Sequence, residues 1–250
     1  MKLAIMQPYF LPYQGYWQLF AEADIFVIFD LVAYQKRSWM CRNRVLSQDI
    51  TKEDVYINLP VKKSESGLIK DTRVATTPDW AKSLKGSLGV YKRMRAPGYD
   101  NVTKIIDDLG ALGDLSLSKF AKSQFEMILP KLELNTEVLI ASELELSLPE
   151  NLDAGQWALQ IAKQLGATEY INPPSGYKIF DPTDFDKENI KLRFLESHLL
   201  PYKQGRRESF IKGLSIIDLL MFSDPSAAID MVKHDYSLKD WHALANDAQN

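Results

Sequence analysis

Two stretches of this chain hold residues that could do chemistry on a phosphorylated ligand. "QPYFLPYQGY", residues 7–16, sets Gln7, Tyr9, Phe10, Tyr13 and Tyr16 around Pro8, Pro12 and Gly15. Such rings stack on a base or sugar, prolines stiffen a turn, and a glycine lets a ligand approach the backbone closely. "YQKRSWMCRNR", residues 34–44, adds Lys36, Arg37, Arg42 and Arg44, with Trp39 and Asn43 among them. A guanidinium grips phosphate oxygens as a fork and stabilises charge that grows in a transition state. Lys36, Arg37 and Arg44 are therefore the expected catalytic cations. Trp39 and Asn43 are expected to touch substrate, joined by Lys62 just after "VYINLPV". Farther along, "YINPPSGYKIFD" offers Asn172 and Gly176 as a rigid substrate loop. "HLLPYKQGRRESF" offers Tyr202 and Gln204, with Arg206 and Arg207. In "FIKGLSIIDLLM", Ser215 opens an apolar helix with Asp218 three residues on. That start resembles a capping box and suits a phosphate contact or a plain helix cap.

The elements that position these residues follow from hydrophobic patterning. "KLAIMQ" and "DIFVIFD" are short runs of the kind buried on two faces of a parallel sheet. Between them Tyr16, Leu19, Phe20 and Ala23 recur at helical spacing, giving a right-handed strand–helix–strand crossover. The opening turn thus lies at the carboxyl end of the first strand, where open parallel sheets bind ligands. "VYINLPV" reads as a third strand. "DWAKSLKGSLGVYKRM", "VTKIIDDLGAL" and "SKFAKSQFEMILPKL" read as helices, "EVLIASELEL" as a strand, and "DAGQWALQIAKQLGA" as a helix capped by Asp153 and stopped by Gly166. "TEYIN" and "IKLRFLES" read as strands; "SIIDLLMF" and "SAAIDMVK" close the chain as helices, with a frayed end. The expected fold is α/β: one Rossmann-like domain over 1–250, a parallel sheet with a helical insertion at roughly 78–133 and closing helices from about 215.

Composition narrows the function. With 250 residues, 46% hydrophobic, the chain can bury one substantial core. A single cysteine, Cys41, excludes an internal disulfide and a cysteine-based metal cage, and the three histidines are scattered, so no metal centre is expected from these types. Asp24, Asp30 and Asp218 could contact Mg²⁺, but no spacing among them compels it. Residues 1–100 carry 15 Lys+Arg against 10 Asp+Glu, whereas the remainder is acidic. So concentrated a positive surplus suits a small anionic ligand rather than nucleic acid. With no apolar run of spanning length and no leader pattern, a cytoplasmic protein without membrane insertion is expected. No Ser-His-Asp, Walker or HExxH pattern occurs.

Two resemblances sharpen this reading. "YFLPYQGY" resembles the opening motif of the nucleotidylyltransferase and pantothenate-synthetase superfamily. It keeps the phenylalanine, proline and glycine, with Tyr13 and Tyr16 where two histidines would hold ATP phosphates. Tyrosine donates a hydrogen bond but carries no positive charge at neutral pH, so the nearby arginines are expected to substitute. "MQPYFLPYQGYWQLF", "YQKRSW-x-x-RNR", "YINPPSGYKIFD" and "FIKGLSIIDLLM" together resemble the WbqC-like protein family, with Lys212 where that family's last block has proline. This likeness implies a bacterial role in O-antigen and other surface-polysaccharide (lipopolysaccharide) biosynthesis. The expected activity is an ATP-using ligase or transferase that attaches an amide, acyl or aminoacyl group to a nucleotide-linked sugar, with ATP and Mg²⁺ as cofactors. The alternatives are a non-catalytic nucleotide-sugar-binding protein and a nucleotidylyltransferase. The expected partner is a nucleotide sugar or another phosphorylated small molecule, and the acidic C-terminal half allows a homodimer.

Overall fold

A computed structural model describes residues 1–49 and 51–247 of the protein. The chain opens with β1 (Lys2–Met6), α1 (Gln14–Glu22) and β2 (Ile25–Ile28), then forms a rim of short strands, β3 (Arg42–Leu46), β4 (Asp54–Asn58), β5 (Val61–Lys62) and β6 (Arg73–Ala75). Next come α2 (Pro78–Ser87), α3 (Gly89–Arg93), α4 (Tyr99–Gly110), β7 (Asp114–Ser116) and α5 (Leu117–Ile128). The second half holds β8 (Glu137–Ile140), α6 (Ala154–Gln164), β9 (Glu169–Asn172), α7 (Pro182–Lys187), β10 (Lys191–Ser197), α8 (Ile216–Phe222), α9 (Pro225–His234), β11 (Tyr236–Asp240) and α10 (Trp241–Asp247).

This is a mixed α/β fold around a mostly parallel six-stranded sheet, ordered β8-β2-β1-β9-β10-β11. Every neighbouring pair is parallel except β10 with β11. From β1 the chain builds outward through β2 and β8, then returns to the other side of β1 with β9 and β10. Alternation along the strands splits the core in two. Ala4, Phe26 and Ile28 face α1 and α5, while Leu3, Ile5 and Val27 face α6 and α7. Phe20 of α1 stacks on Phe26 with ring centroids 4.0 Å apart, and Trp17 is fully buried. Burying one such ring contributes about 1.5–3 kcal/mol.

Helix α1 is covered on nearly every side. Gln14 and Gln18, one turn apart, are buried beneath α9 and both donate to the Met231 carbonyl at 3.0 Å. Gln14 also donates to the Asp235 carboxylate and Gln18 to the Asp235 carbonyl. Two side chains thereby add bonds to carbonyls at the C-terminal end of α9, where the Met231 carbonyl also accepts from the Asp235 N–H at 3.3 Å. At α6 the expected cap is present as a complete capping box between Asp153 and Gln156, and Gly166 ends the segment at φ +70°.

Three expectations are corrected. "VYINLPV" does not extend the central sheet: β4 pairs with β3 in an antiparallel hairpin, β5 joins β6 and β7, and β8 takes the place beside β2. Val55 and Tyr56 are exposed, so this run lacks the two-sided burial that a central parallel strand requires. Strand β7 interrupts the helical stretch at 78–133. The chain does not close on helices alone either, because β11 adds an antiparallel edge strand before α10; residues 248–250 lie outside the described residues.

Candidate functional site

Strand order reverses between β1 and β9, and their carboxyl ends frame a crevice of about 560 Å³. In open α/β sheets this is the place where ligands bind, because the loops leaving the two strands diverge to opposite faces. Ile5, Met6 and Gln7 continue β1 into it; Tyr170, Asn172 and Ser175 enter from β9 and its loop; Phe29, Val32 and Gln35 follow β2; Trp157 descends from the first turn of α6. Phe29 and Trp157 meet at a centroid distance of 5.4 Å, and Tyr170 meets Phe180 at 5.5 Å, giving the crevice two aromatic walls. None of its lining residues is charged. Burial raises the Tyr170 phenol, which stays protonated as a donor at neutral pH.

Asn172 is the polar centre of this crevice. It is 6% exposed, and its own contacts are long: the Tyr170 hydroxyl donates to Oδ1 at 3.4 Å, and Nδ2 donates to the Pro173 carbonyl at 3.3 Å. A buried amide held so loosely keeps capacity for a better partner. Gly176 serves this residue directly. A Cβ there would stand 2.2 Å from Asn172 Nδ2, so glycine makes room for the amide rather than for a ligand.

Beside the crevice, the opening turn and the β3–β4 hairpin build an aromatic and cationic rim. The Phe10 N–H donates to the Trp39 carbonyl at 2.9 Å, tying the two segments together. Rings run from Tyr13 to Tyr9 (6.3 Å), Tyr9 to Trp39 (5.9 Å) and Trp39 to Tyr56 (6.3 Å). The Arg42 guanidinium lies 4.6 Å from the centre of the Tyr56 ring, and Arg44 lies 5.9 Å from that of Trp39. Stacked cations of this kind hold exposed rings in place; Trp39 is 40% and Tyr56 45% exposed. Burial raises the Tyr9 phenol, the neighbouring Tyr13 adds to this, and Arg44 partly offsets it; burial also raises Tyr13. Arg44 pairs with Asp54 at 2.9 Å, which offsets much of its charge. Lys36 and Arg37 are exposed on the segment between Gln35 of the crevice and Trp39 of the rim, with Arg37 in the left-handed region at φ +55°.

Several residues expected to touch a ligand instead hold the turn together. Phe10 is buried against Phe120 and Trp80. Tyr16 is buried among Phe20, Phe26 and Phe125, its hydroxyl donates to the Gln7 carbonyl at 2.7 Å, and burial drives its phenol far upward. It cannot present a donor to a phosphate. Gly15 gives its space to the Tyr13 ring, whose Cε2 lies 2.6 Å from where a Cβ would be. Buried Asn43 donates to the carbonyls of Phe10 (3.1 Å) and Leu11 (2.5 Å), and Ser215 Oγ donates to Leu11 at 2.7 Å while capping α8. Pro8 is buried as well. Tyr202 and Gln204 both donate to the Asp218 carboxylate, and Tyr91 adds a third bond, so these residues form a hub behind α8. Lys62 sits exposed on β5, outside the crevice lining. Gln7, Tyr9, Tyr13, Trp39, Arg44, Asn172 and Gly176 are the expected residues that the crevice and its rim bring together, with Lys36 and Arg37 on the segment between them.

The model of the WbqC-like protein family matches residues 7–229, which includes the opening turn, the basic segment, the β9 loop and α8. The chain belongs to the WbqC-like protein family. Family membership carries an association with polysaccharide biosynthesis. The chain is also similar to an uncharacterized protein of Mycobacterium tuberculosis (strain ATCC 25618 / H37Rv), Rv1507c, at 28% identity over 239 residues, covering 93% of this chain and 98% of that one. No solved structure matches the chain.

In this WbqC-like protein the three aspartates suggested for Mg²⁺ stand apart. Asp24 accepts from the Lys2 N–H; buried Asp30 accepts from the Ser118 and Ser142 hydroxyls and the Ser142 N–H; Asp218 holds its hub. They do not gather into one site. Among the described residues no helix is long and apolar enough to cross a membrane. Phe29, Gln35, Trp157 and Tyr56 belong to the site or its rim without having been expected there. Phe29 ends "DIFVIF" and Trp157 lies in the first turn of a capped helix, so position relative to a strand or helix end is the signal that could have found both.

Proposed function

We propose that the crevice between β1 and β9 holds the nucleoside or sugar part of a nucleotide-linked sugar, and that its phosphates face Lys36 and Arg37. On this reading the sheet is a Rossmann-like nucleotide-binding sheet, which is supported by parallel strands added first on one side of β1 and then on the other. The observation that carries it is the pairing of a neutral, aromatic-walled crevice at the switch point with exposed cations on the adjoining segment. Aromatic walls suit a base or pyranose face, Asn172 suits a carbonyl, amide or hydroxyl, and cations are kept where phosphate would lie. The protein then acts as a transferase or ATP-using ligase that modifies the sugar by amide or acyl attachment in surface-polysaccharide synthesis. ATP would supply the driving force as it releases AMP and pyrophosphate, while the nucleotide sugar keeps its own phosphates, which Lys36 and Arg37 hold in place for the attachment.

A second reading is a non-catalytic binder that presents the nucleotide sugar to a partner enzyme. It is favoured by the same lining, which contains no charged acid or base. Incubating the protein with ATP, glycine and UDP-, dTDP- and GDP-linked sugars separates the two. Release of AMP and pyrophosphate with an amide product supports the ligase. Measurable binding without turnover supports the binder. Absence of binding to every nucleotide sugar refutes both.

A further inference from the structure

A second basin, of about 420 Å³, lies between α3, the end of β3 and the 206–207 turn, and shares no lining residue with the crevice. Arg93, Arg206 and Arg207 line it with Ser47 and Gln48, and no carboxylate is among the lining residues. These arginines come from "YKRMR" and "KQGRR", more than a hundred residues apart in sequence. The two segments are fitted closely: Gly205, at φ +65°, lies where an added Cβ would stand 2.5 Å from Met94 Sδ. The fold thus brings like charges together beside a turn whose left-handed backbone and close packing favour glycine.

How the guanidiniums are held is informative. Arg44, Arg73 and Arg193 each pair with an aspartate, which offsets their charge. In the basin the anchors are neutral oxygens. Arg93 donates to Gln48 Oε1 at 2.9 Å, and Arg207 donates to the carbonyls of Lys52 and Glu53 at 3.3 and 3.2 Å. Each anchor occupies one nitrogen and fixes the plane, leaving the other donors of the fork and the whole positive charge available. Arg206 is exposed and makes no ion pair among the described residues. The buried Asp218 feels the charge of Arg207, but its own oxygens are taken by Tyr91, Tyr202 and Gln204.

We propose that this basin binds a phosphate- or diphosphate-bearing small molecule at a site separate from the crevice. Preoriented forks favour an anion with several oxygens, and the recess has the volume of a small phosphorylated compound rather than a flat lipid surface. The test is calorimetric titration of the full-length protein with pyrophosphate, alongside co-sedimentation with phosphatidylglycerol vesicles. The Arg93→Gln/Arg206→Gln variant is expected to weaken pyrophosphate binding at least about tenfold with unchanged thermal stability, since both residues are exposed. Arg37→Ala, in the rim of the crevice, is expected to retain the component of pyrophosphate binding that the double variant loses. Loss of pyrophosphate binding in Arg37→Ala with retention in the double variant would place the anion at the crevice and overturn the basin. So would the absence of pyrophosphate binding in the unaltered protein, or binding to vesicles alone. Failure of nucleotide sugars to bind the crevice leaves this outcome untouched, because the two readouts use different ligands and different arginines.

Discussion

The contact between Gly176 and Asn172 can be used to separate recognition from folding. Gly176 has no positive φ, so alanine suits its backbone, but the new Cβ would stand 2.2 Å from Asn172 Nδ2. Ordinary contact begins near 3.4 Å, so the amide must retreat by at least about 1.2 Å. What is pushed is the end of a side chain whose hydrogen bonds are 3.3 and 3.4 Å long, so the cost in stability is small, about 1 kcal/mol or less. The reduced freedom of the unfolded chain offsets part of that. A ligand hydrogen bond from the displaced amide would be lost, worth about 1–3 kcal/mol, or roughly 5- to 150-fold in affinity. Gly155 provides the contrast. An added Cβ there would also stand 2.2 Å from a neighbour, but that neighbour is the Ile179 carbonyl oxygen, which is backbone and cannot swing aside. Gly155→Ala should therefore destabilise by several kcal/mol, about 3 or more, and lower Tm by many degrees. Thermal melts together with calorimetry against UDP-, dTDP- and GDP-linked sugars measure both quantities. A Gly176→Ala protein that binds these sugars as tightly as the unaltered chain, with a normal melt, would refute the role given to Asn172.

Arg37→Ala is expected to lower turnover by about a hundredfold or more while shifting stability by less than about 0.5 kcal/mol, because the side chain is exposed and positions the phosphates of the nucleotide sugar rather than supporting the fold; full activity in the purified variant would remove it from the site. Ser215→Ala removes both the bond to Leu11 and the α8 cap, and should cost about 1–3 kcal/mol by chemical denaturation; a loss below about 0.5 kcal/mol would show that the turn is held otherwise. Burial raises the Asp218 carboxyl, opposed by the bonds from Tyr202, Tyr91 and Gln204. A folded pKa above the unfolded value of about 4 means that its stabilising contribution is complete at low pH and declines as pH rises from there. The Tm difference between Asp218→Asn and the unaltered protein should therefore move in favour of the variant as pH rises from about 4 toward 7. A flat or opposite trend would contradict the raised pKa.

The parallel core could be read in the sequence because two-sided burial writes itself as uninterrupted Ile, Val and Phe, as in β1 and β2. Asp153 and Gly166 marked α6 for an equally local reason. "VYINLPV" misled because an exposed hairpin strand uses the same β-branched and aromatic residues as a buried one, and only its partners distinguish them. β11 escaped because "YSLKD" has little pattern of its own and is defined by pairing with β10. Around the candidate crevice, the placement of Gln7 and Asn172 at strand ends was legible from topology. Tyr16 had already been counted on the apolar face of α1, and that membership decided its place. Gln204 and Asn43 looked like ligand contacts because a buried amide that braces a loop has the same chemistry as one that reads a substrate.

The opening turn is synthesised about two hundred residues before its fastenings: Ser215 to Leu11, and Met231 and Asp235 to the two glutamines of α1. A nascent polypeptide therefore carries the first wall of its pocket over that whole interval without the struts that hold it open. Competence to capture ligand should arrive abruptly, once α8 and α9 have been made, and a chain cut short after β10 would retain most of its sheet while lacking a finished site.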